Sequence, residues 1–352
     1  MHKHGWIKWF VLYMTLAGGN YMVYSMVLPV RIFHHVIVSA ILLFWFLKYG
    51  LPSTPLLGSF VIMALSVLIS AFTSNDKRMA LEFAWHWITN GVLLLLLIDW
   101  MRIGREKELL RYQMMAGAMV AGSCLLEWLL YRNRPGGMFF NINLAGGYVS
   151  ALLLPVLHAA WHSRDHSRWL YGALSVLMLL VLALNQSRGA ILCLTVSIVA
   201  FVILQEKSAK RALLMSSIPL IIVLAIIAPL SDQTHHALGD IERLDLWRVA
   251  GELINSHPLG VGPGLFGQAY QVMGKSGEYR FTGAHSLYLN LGAELGGAGL
   301  ASGAVSVLLF IYCLIYVKRT PAQNASLAAL CGIATHMAVD NFPSQGYTFL
   351  VS

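Results

Sequence analysis

The chain has 352 residues, of which 57% are hydrophobic and 11% charged, with a formal net charge of +8 and a mean hydropathy of +0.66. A soluble domain carries roughly 25% charged residues, so this composition excludes a soluble globular protein and calls for a lipid bilayer. The apolar stretches are long and do not alternate with polar residues, which excludes an outer-membrane barrel and predicts helical spans.

At about 20 residues per span, helices are expected near 6–26, 32–50, 55–73, 79–100, 108–131, 144–162, 168–185, 188–205 and 211–231. After a long polar interval, two more are expected near 285–317 (one long helix, or a short helix continuing into a span) and 324–340. The expected fold is therefore all-α: a polytopic helical membrane protein of about 11–12 transmembrane helices, a single integral membrane domain over 1–352 with one large loop at 232–284. Met1-His2-Lys3-His4 runs straight into an apolar segment without a small-residue cleavage site, so the first span is expected to serve as its own insertion signal. The four cysteines, Cys124, Cys193, Cys313 and Cys331, lie inside apolar runs without metal-ligand spacing and read as small core residues.

Orientation follows from the short connections. MRIGREKELLR, SRDHSR, QEKSAKR and VKRT are rich in Lys and Arg and fall on one side, which is expected to be the cytoplasm. The long loop then faces outward, which in a Gram-negative cell is the periplasm. Arg132, Arg134, Arg188, Arg243, Arg248 and Arg280 stand on that outer side against the rule. Binding an anion is a reason for cations to be there. For Arg132 and Arg134 the preferred reading is snorkelling to lipid phosphates. For Arg188, at the head of an apolar helix after Asn185-Gln186-Ser187, it is anion binding.

The loop opens with a helix expected at about 240–255, with Asp240 as N-cap and Ile241, Leu244, Trp247, Gly251 and Ile254 at helical spacing. Arg243 and Trp247, four apart, share a face. Two readings stand side by side: an amphipathic helix on the membrane–water boundary with Trp247 at headgroup depth, and a lid helix with solvated charges. The run His257-Pro258-Leu259-Gly260-Val261-Gly262-Pro263-Gly264-Leu265-Phe266-Gly267 lacks the Gly-Lys-Ser/Thr of a phosphate loop and the preceding strand of a dinucleotide site, so it reads as a structural turn. Behind His285, the glycines at 292, 296, 299 and 303 are expected to form one smooth helix face for close packing. Glu294 in that helix either pairs with a base or marks a polar site.

These motifs resemble a family. His285-Ser286, nine residues, then Gly296-Gly297-Ala298-Gly299 is similar to the H-[NSQ]-x9-G-x-x-G signature of bacterial O-antigen ligases. Arg243-x3-Trp247 followed by His257-Pro258-Leu259-Gly260-Val261-Gly262 resembles a block of the broader O-antigen ligase and polymerase superfamily. Asn185-Gln186-Ser187-Arg188-Gly189-Ala190 is similar to its S-R-G-A block, and Gly137-Met138-Phe139-Phe140-Asn141-Ile142-Asn143 to its G-x-F-x-N-P-N block, with Ile142 in place of proline.

The resemblance implies a glycosyltransferase of the C-type membrane architecture. The donor would be a glycan on undecaprenyl pyrophosphate, and the acceptor a sugar hydroxyl of the lipid A core for a ligase, or another lipid-linked repeat for a polymerase. Arg188 and Arg243 would hold the pyrophosphate, helped by Arg248 or Arg280. His285 would act as the general base or as a cationic phosphate ligand. Trp247 and Asn143 would line the substrate site. The outer loops carry no acidic cluster, so neither metal nor cofactor is expected, and nothing points to nucleic acid as a partner. A lipid or glycan transporter is the competing class. It fits less well, because the polar residues gather at one face and no halves repeat.

Overall fold

The computed structural model describes residues 28–50, 54, 56–100, 106–139, 141–206, 208, 210–211, 214–217, 234–273, 283–316 and 319–340. The spans expected near 6–26 and 211–231 fall wholly or mostly outside these residues, as does Arg280. The described chain is helical, with no strand. The helices are α1 Leu28–Tyr49, α2 Leu56–Thr73, α3 Lys77–Trp100, α4 Glu106–Tyr131, α5 Ile142–His162, α6 Ser167–Asn185 and α7 Arg188–Gln205. They continue with α8 Thr234–Ser256, α9 Phe266–Val272, α10 Leu287–Tyr316 and α11 Pro321–Val339.

Among the described residues, 8 helices are long and apolar enough to cross a membrane. The protein is a polytopic helical membrane protein. The polar content of α11 (Gln323, Asn324, Ser326, Thr335, His336) keeps it out of that set, although it spans 19 residues.

The helix starts follow local capping chemistry. Asn141 accepts from Leu144 N at 3.1 Å to open α5, and Ser187 accepts from Ala190 N at 3.3 Å to open α7. Thr320 and Gln323 form a reciprocal capping box at the head of α11, with Pro321 in the first turn. α5 is the central helix, buried without interruption from Leu144 to Val156. α11 lies so close to α7 that a β-carbon on Gly332 would stand 2.2 Å from Cys193 O. α10 runs along α2, where Ser59 Oγ and Ser306 Oγ are 3.1 Å apart. Apolar side chains such as Leu47, Leu126, Leu130 and Leu308 point outward and form the lipid-facing surface.

The loop helix differs from its expectation in two ways. α8 begins at Thr234, so Asp240 lies inside it rather than capping it. Its buried face is Leu246, Val249, Ala250 and Leu253, packed with Phe266 and Tyr270 of α9 and Ala293 of α10, while Leu244 is exposed. The helix carries apolar residues on two faces, and tertiary packing selects the one that meets α9 and α10. Trp247 Nε1 is shielded from solvent and has no hydrogen-bond partner among the described residues, unlike an indole whose N–H faces lipid headgroups.

The glycine face of α10 also differs. Gly296 has φ 67 and ψ −160, so the helix breaks there instead of presenting one smooth face. The glycine-rich run enters the break with backbone hydrogen bonds: Val261 N to Ala293 O at 2.9 Å, Gly262 N to Glu294 O at 3.1 Å, and Gly297 N to Pro258 O at 3.0 Å. A β-carbon at Gly296 would lie 2.1 Å from Pro258 O, and one at Gly260 would lie 2.2 Å from Glu294 O. Glu294 is buried and has no ion-pair partner among the described residues. Its carboxylate accepts from Gly264 N at 2.9 Å, and Ser70 Oγ donates to its carbonyl.

Candidate functional site

The end of the bundle that carries α8 and α9 collects most of the residues singled out in the sequence. The first part is the junction of α5, α6 and α7. The Asn185 side chain donates to Pro135 O at 2.7 Å and Ile142 O at 2.8 Å, and its Oδ1 accepts from Ser187 N at 3.2 Å. A β-carbon at Gly146 would lie 2.6 Å from that same oxygen, so only glycine lets α5 approach so closely. Ser187 Oγ donates to Asn143 Oδ1 at 3.0 Å. These bonds fix the start of α7 and thereby the place of Arg188, its first residue.

Arg134 belongs to the same junction. Its guanidinium donates to the carbonyls of Asn185 and Gln186, each at 2.9 Å, where they end α6. The snorkelling reading of Arg134 is thereby corrected, because two orphan helix carbonyls hold it in place of lipid phosphate. Burial first, then the positive charge of Arg188, push the Arg134 guanidinium below its usual range. Arg132 is exposed and lies over the Trp128 ring at 4.4 Å.

The second part lies between α8, α10 and α11. His285, just before α10, takes a left-handed backbone conformation with φ 49. For a non-glycine residue that costs about 1–3 kcal/mol and persists only where the surroundings impose it. Here Asn290 Oδ1 reaches back to accept from Ala284 N at 2.7 Å, and His285 Nδ1 stands 3.3 Å from Asp340 Oδ1. Asp340 is buried at the end of α11, and the His285 side chain is 34% exposed, with Nδ1 facing the carboxylate.

One turn earlier on α11, His336 is buried against the start of α7, where a β-carbon on Gly189 would lie 2.8 Å from its Nε2. Both Asp340 and Arg243 of α8 are near enough to act on its charge. The start of α7, which carries Arg188, and His285 thus both meet the last turn of α11. Sequence reasoning missed His336 and Asp340. Both sit in or beside an apolar helix, and only their ionisable character within it was a signal.

The remaining candidates are placed differently. Arg248 is exposed and engaged by Asp245 at 2.7 Å and Glu252 at 3.4 Å on its own helix. Asn143 is committed to Ser187, and Trp247 is half-buried on α8.

With this geometry in view, the comparison with known families becomes informative. Residues 173–304 match the family model described as O-antigen ligase. That stretch is similar to the O-antigen ligase family. The family is one of glycosyltransferase-like enzymes and points to lipid-linked glycans as substrates. The matched stretch takes in Arg188, Arg243, the glycine-rich run and His285, and leaves out Arg134, Asn143, His336 and Asp340. No curated protein matches the chain.

Proposed function

We propose that the protein is an O-antigen ligase: it transfers a glycan from undecaprenyl pyrophosphate to a sugar hydroxyl of the lipid A core, at the periplasmic face of the bacterial inner membrane. The observation that carries this reading is the His285–Asp340 pair, 3.3 Å apart, one turn along α11 from His336, which packs against the start of α7 that bears Arg188. It is further supported by the family match over residues 173–304.

Breaking a glycosyl–pyrophosphate bond builds negative charge on the leaving phosphate. Arg188 and Arg243 would neutralise it with bidentate hydrogen bonds in a partly desolvated setting. Asp340 would accept the Nδ1 proton of His285 and so fix the tautomer that leaves Nε2 unprotonated. Nε2 then takes the proton of the acceptor hydroxyl as its oxygen attacks the anomeric carbon. The glycosyl–phosphate bond breaks as the new glycosidic bond forms, and a single displacement inverts that carbon. No metal enters this scheme. The 3.3 Å separation is loose, as such contacts commonly are before substrate tightens them.

The deciding experiment deletes the gene and examines the lipopolysaccharide by gel electrophoresis. A bare core, with full-length glycan left on the lipid carrier, is the expected result. A core bearing a single repeat would assign the protein as a polymerase instead.

A further inference from the structure

We propose that His35 of α1 together with Glu82 and His86 of α3 forms a site for a divalent transition-metal ion, Zn²⁺ being the best fit. One ligand atom from each of these three side chains can be chosen so that all lie within 4.8 Å of one another. His35 Nε2 and Glu82 Oε1 are 4.0 Å apart. That is too far for a hydrogen bond, but ligand atoms that share one ion at about 2.0–2.2 Å stand roughly 3–4 Å from each other. A small side-chain adjustment therefore completes three bonds to one ion.

The donor set and its placement agree. Two imidazoles and a carboxylate suit zinc and its neighbours rather than magnesium or calcium, which prefer oxygen alone. Glu82 and His86 are four apart and so share one face of α3, and the ring of His35 meets that of His86 edge-on with centroids 4.4 Å apart. His86 is 4% exposed, whereas the side chains of His35 and Glu82 are 18% and 25% exposed. His86 thus forms the buried side of the cluster, and His35 and Glu82 its more accessible side.

Two imidazoles and a carboxylate grouped between apolar helices are an arrangement that a shared cation stabilises. The two helices otherwise meet through an apolar cluster further along, formed by Val38, Leu42 and Trp45 with Leu93, Leu96 and Leu97. An ion would tie their other ends. It would also steady Phe83, whose ring centroid is 6.4 Å from that of His86 and on which a β-carbon at Gly264 would impinge. The site thus buttresses the glycine-rich run that enters α10. It is structural, and it stands or falls independently of the glycan-transfer reading.

The test uses the full chain, purified without an affinity tag, stripped with a chelator and titrated with Zn²⁺ and with Co²⁺ as a coloured substitute. The expected result is one tightly held ion per chain beyond weak surface binding and a Co²⁺ visible band of mixed nitrogen–oxygen ligation. Zn²⁺ should raise the thermal unfolding temperature. His86→Gln, Glu82→Gln and His35→Gln should each weaken that ion at least tenfold and abolish the band, while His34→Gln leaves both unchanged. Equal binding by wild type and any well-behaved ligand variant overturns the site. Should none of the three variants be monodisperse, a wild-type protein without the Co²⁺ band overturns it as well.

Discussion

The Glu294 carboxylate of α10 accepts a hydrogen bond from Gly264 N at 2.9 Å, tying a fully buried acidic side chain to the backbone of a turn thirty residues earlier. It adds to the backbone bonds that Val261 N and Gly262 N give to the carbonyls of Ala293 and Glu294. Glu294→Ala leaves a buried N–H unsatisfied and should lower stability by about 1–3 kcal/mol. Glu294→Gln keeps a carbonyl acceptor and should lose less. Thermal unfolding in detergent, followed by loss of the monodisperse peak, measures both.

The neighbouring glycines separate steric from sequence requirements. Gly296→Ala places a β-carbon 2.1 Å from Pro258 O in a left-handed conformation and should prevent accumulation of folded protein. Gly297→Ala meets nothing within 4 Å and should express at wild-type levels. The contrast is read from membrane-fraction yield. Equal yields would mean that α10 does not break at Gly296.

His285→Ala should lower transfer by about 10²–10⁴-fold, the usual contribution of a general base. Asp340→Asn should act mainly on kcat, since it removes the acceptor that fixes the imidazole tautomer without touching substrate. Asp340→Glu should restore part of the loss. A general base also requires activity to fall toward acid pH as the imidazole gains its proton, whereas a cationic phosphate ligand would lose activity toward alkaline pH. An in vitro transfer assay with lipid-linked donor across pH distinguishes these.

The arginines should sort by what holds them. Arg188→Ala and Arg243→Ala should abolish transfer while insertion remains normal, and lysine at either position should recover little because bidentate geometry is lost. Arg248→Ala should stay within a few-fold of wild type, since Asp245 and Glu252 already engage its guanidinium on an exposed face. Lipopolysaccharide gels from complemented deletion strains report all three.

Arg134→Ala should weaken the protein by a different route. It frees the carbonyls of Asn185 and Gln186 at the end of α6 and removes the bonds that steady the start of α7. Lower thermal stability together with a raised KM is expected, the latter through misplacement of Arg188. A change in KM with unaltered unfolding temperature would instead put Arg134 directly on the substrate.

Much of this protein was legible from residue order alone. Hydrophobic runs of membrane length dictate helices, and the described spans from α2 to α7 begin and end within about two residues of their expected bounds. The cap bonds of Asn141, Ser187 and Thr320 reach only a few residues along the chain, whereas Asp240, the cap expected from the sequence, lies inside α8. The motifs around Arg188, Arg243 and His285 are likewise local, so their residue types could be named before their positions in space were known. What the sequence could not decide is whatever depends on residues far apart meeting. The face of α8 that is buried, the break of α10 around Pro258, the capture of Arg134 by α6 and the pairing of His285 with Asp340 are all choices between locally equivalent options. Tertiary packing makes those choices, because a half-apolar helix, a glycine or a histidine acquires one role only when a specific neighbour arrives.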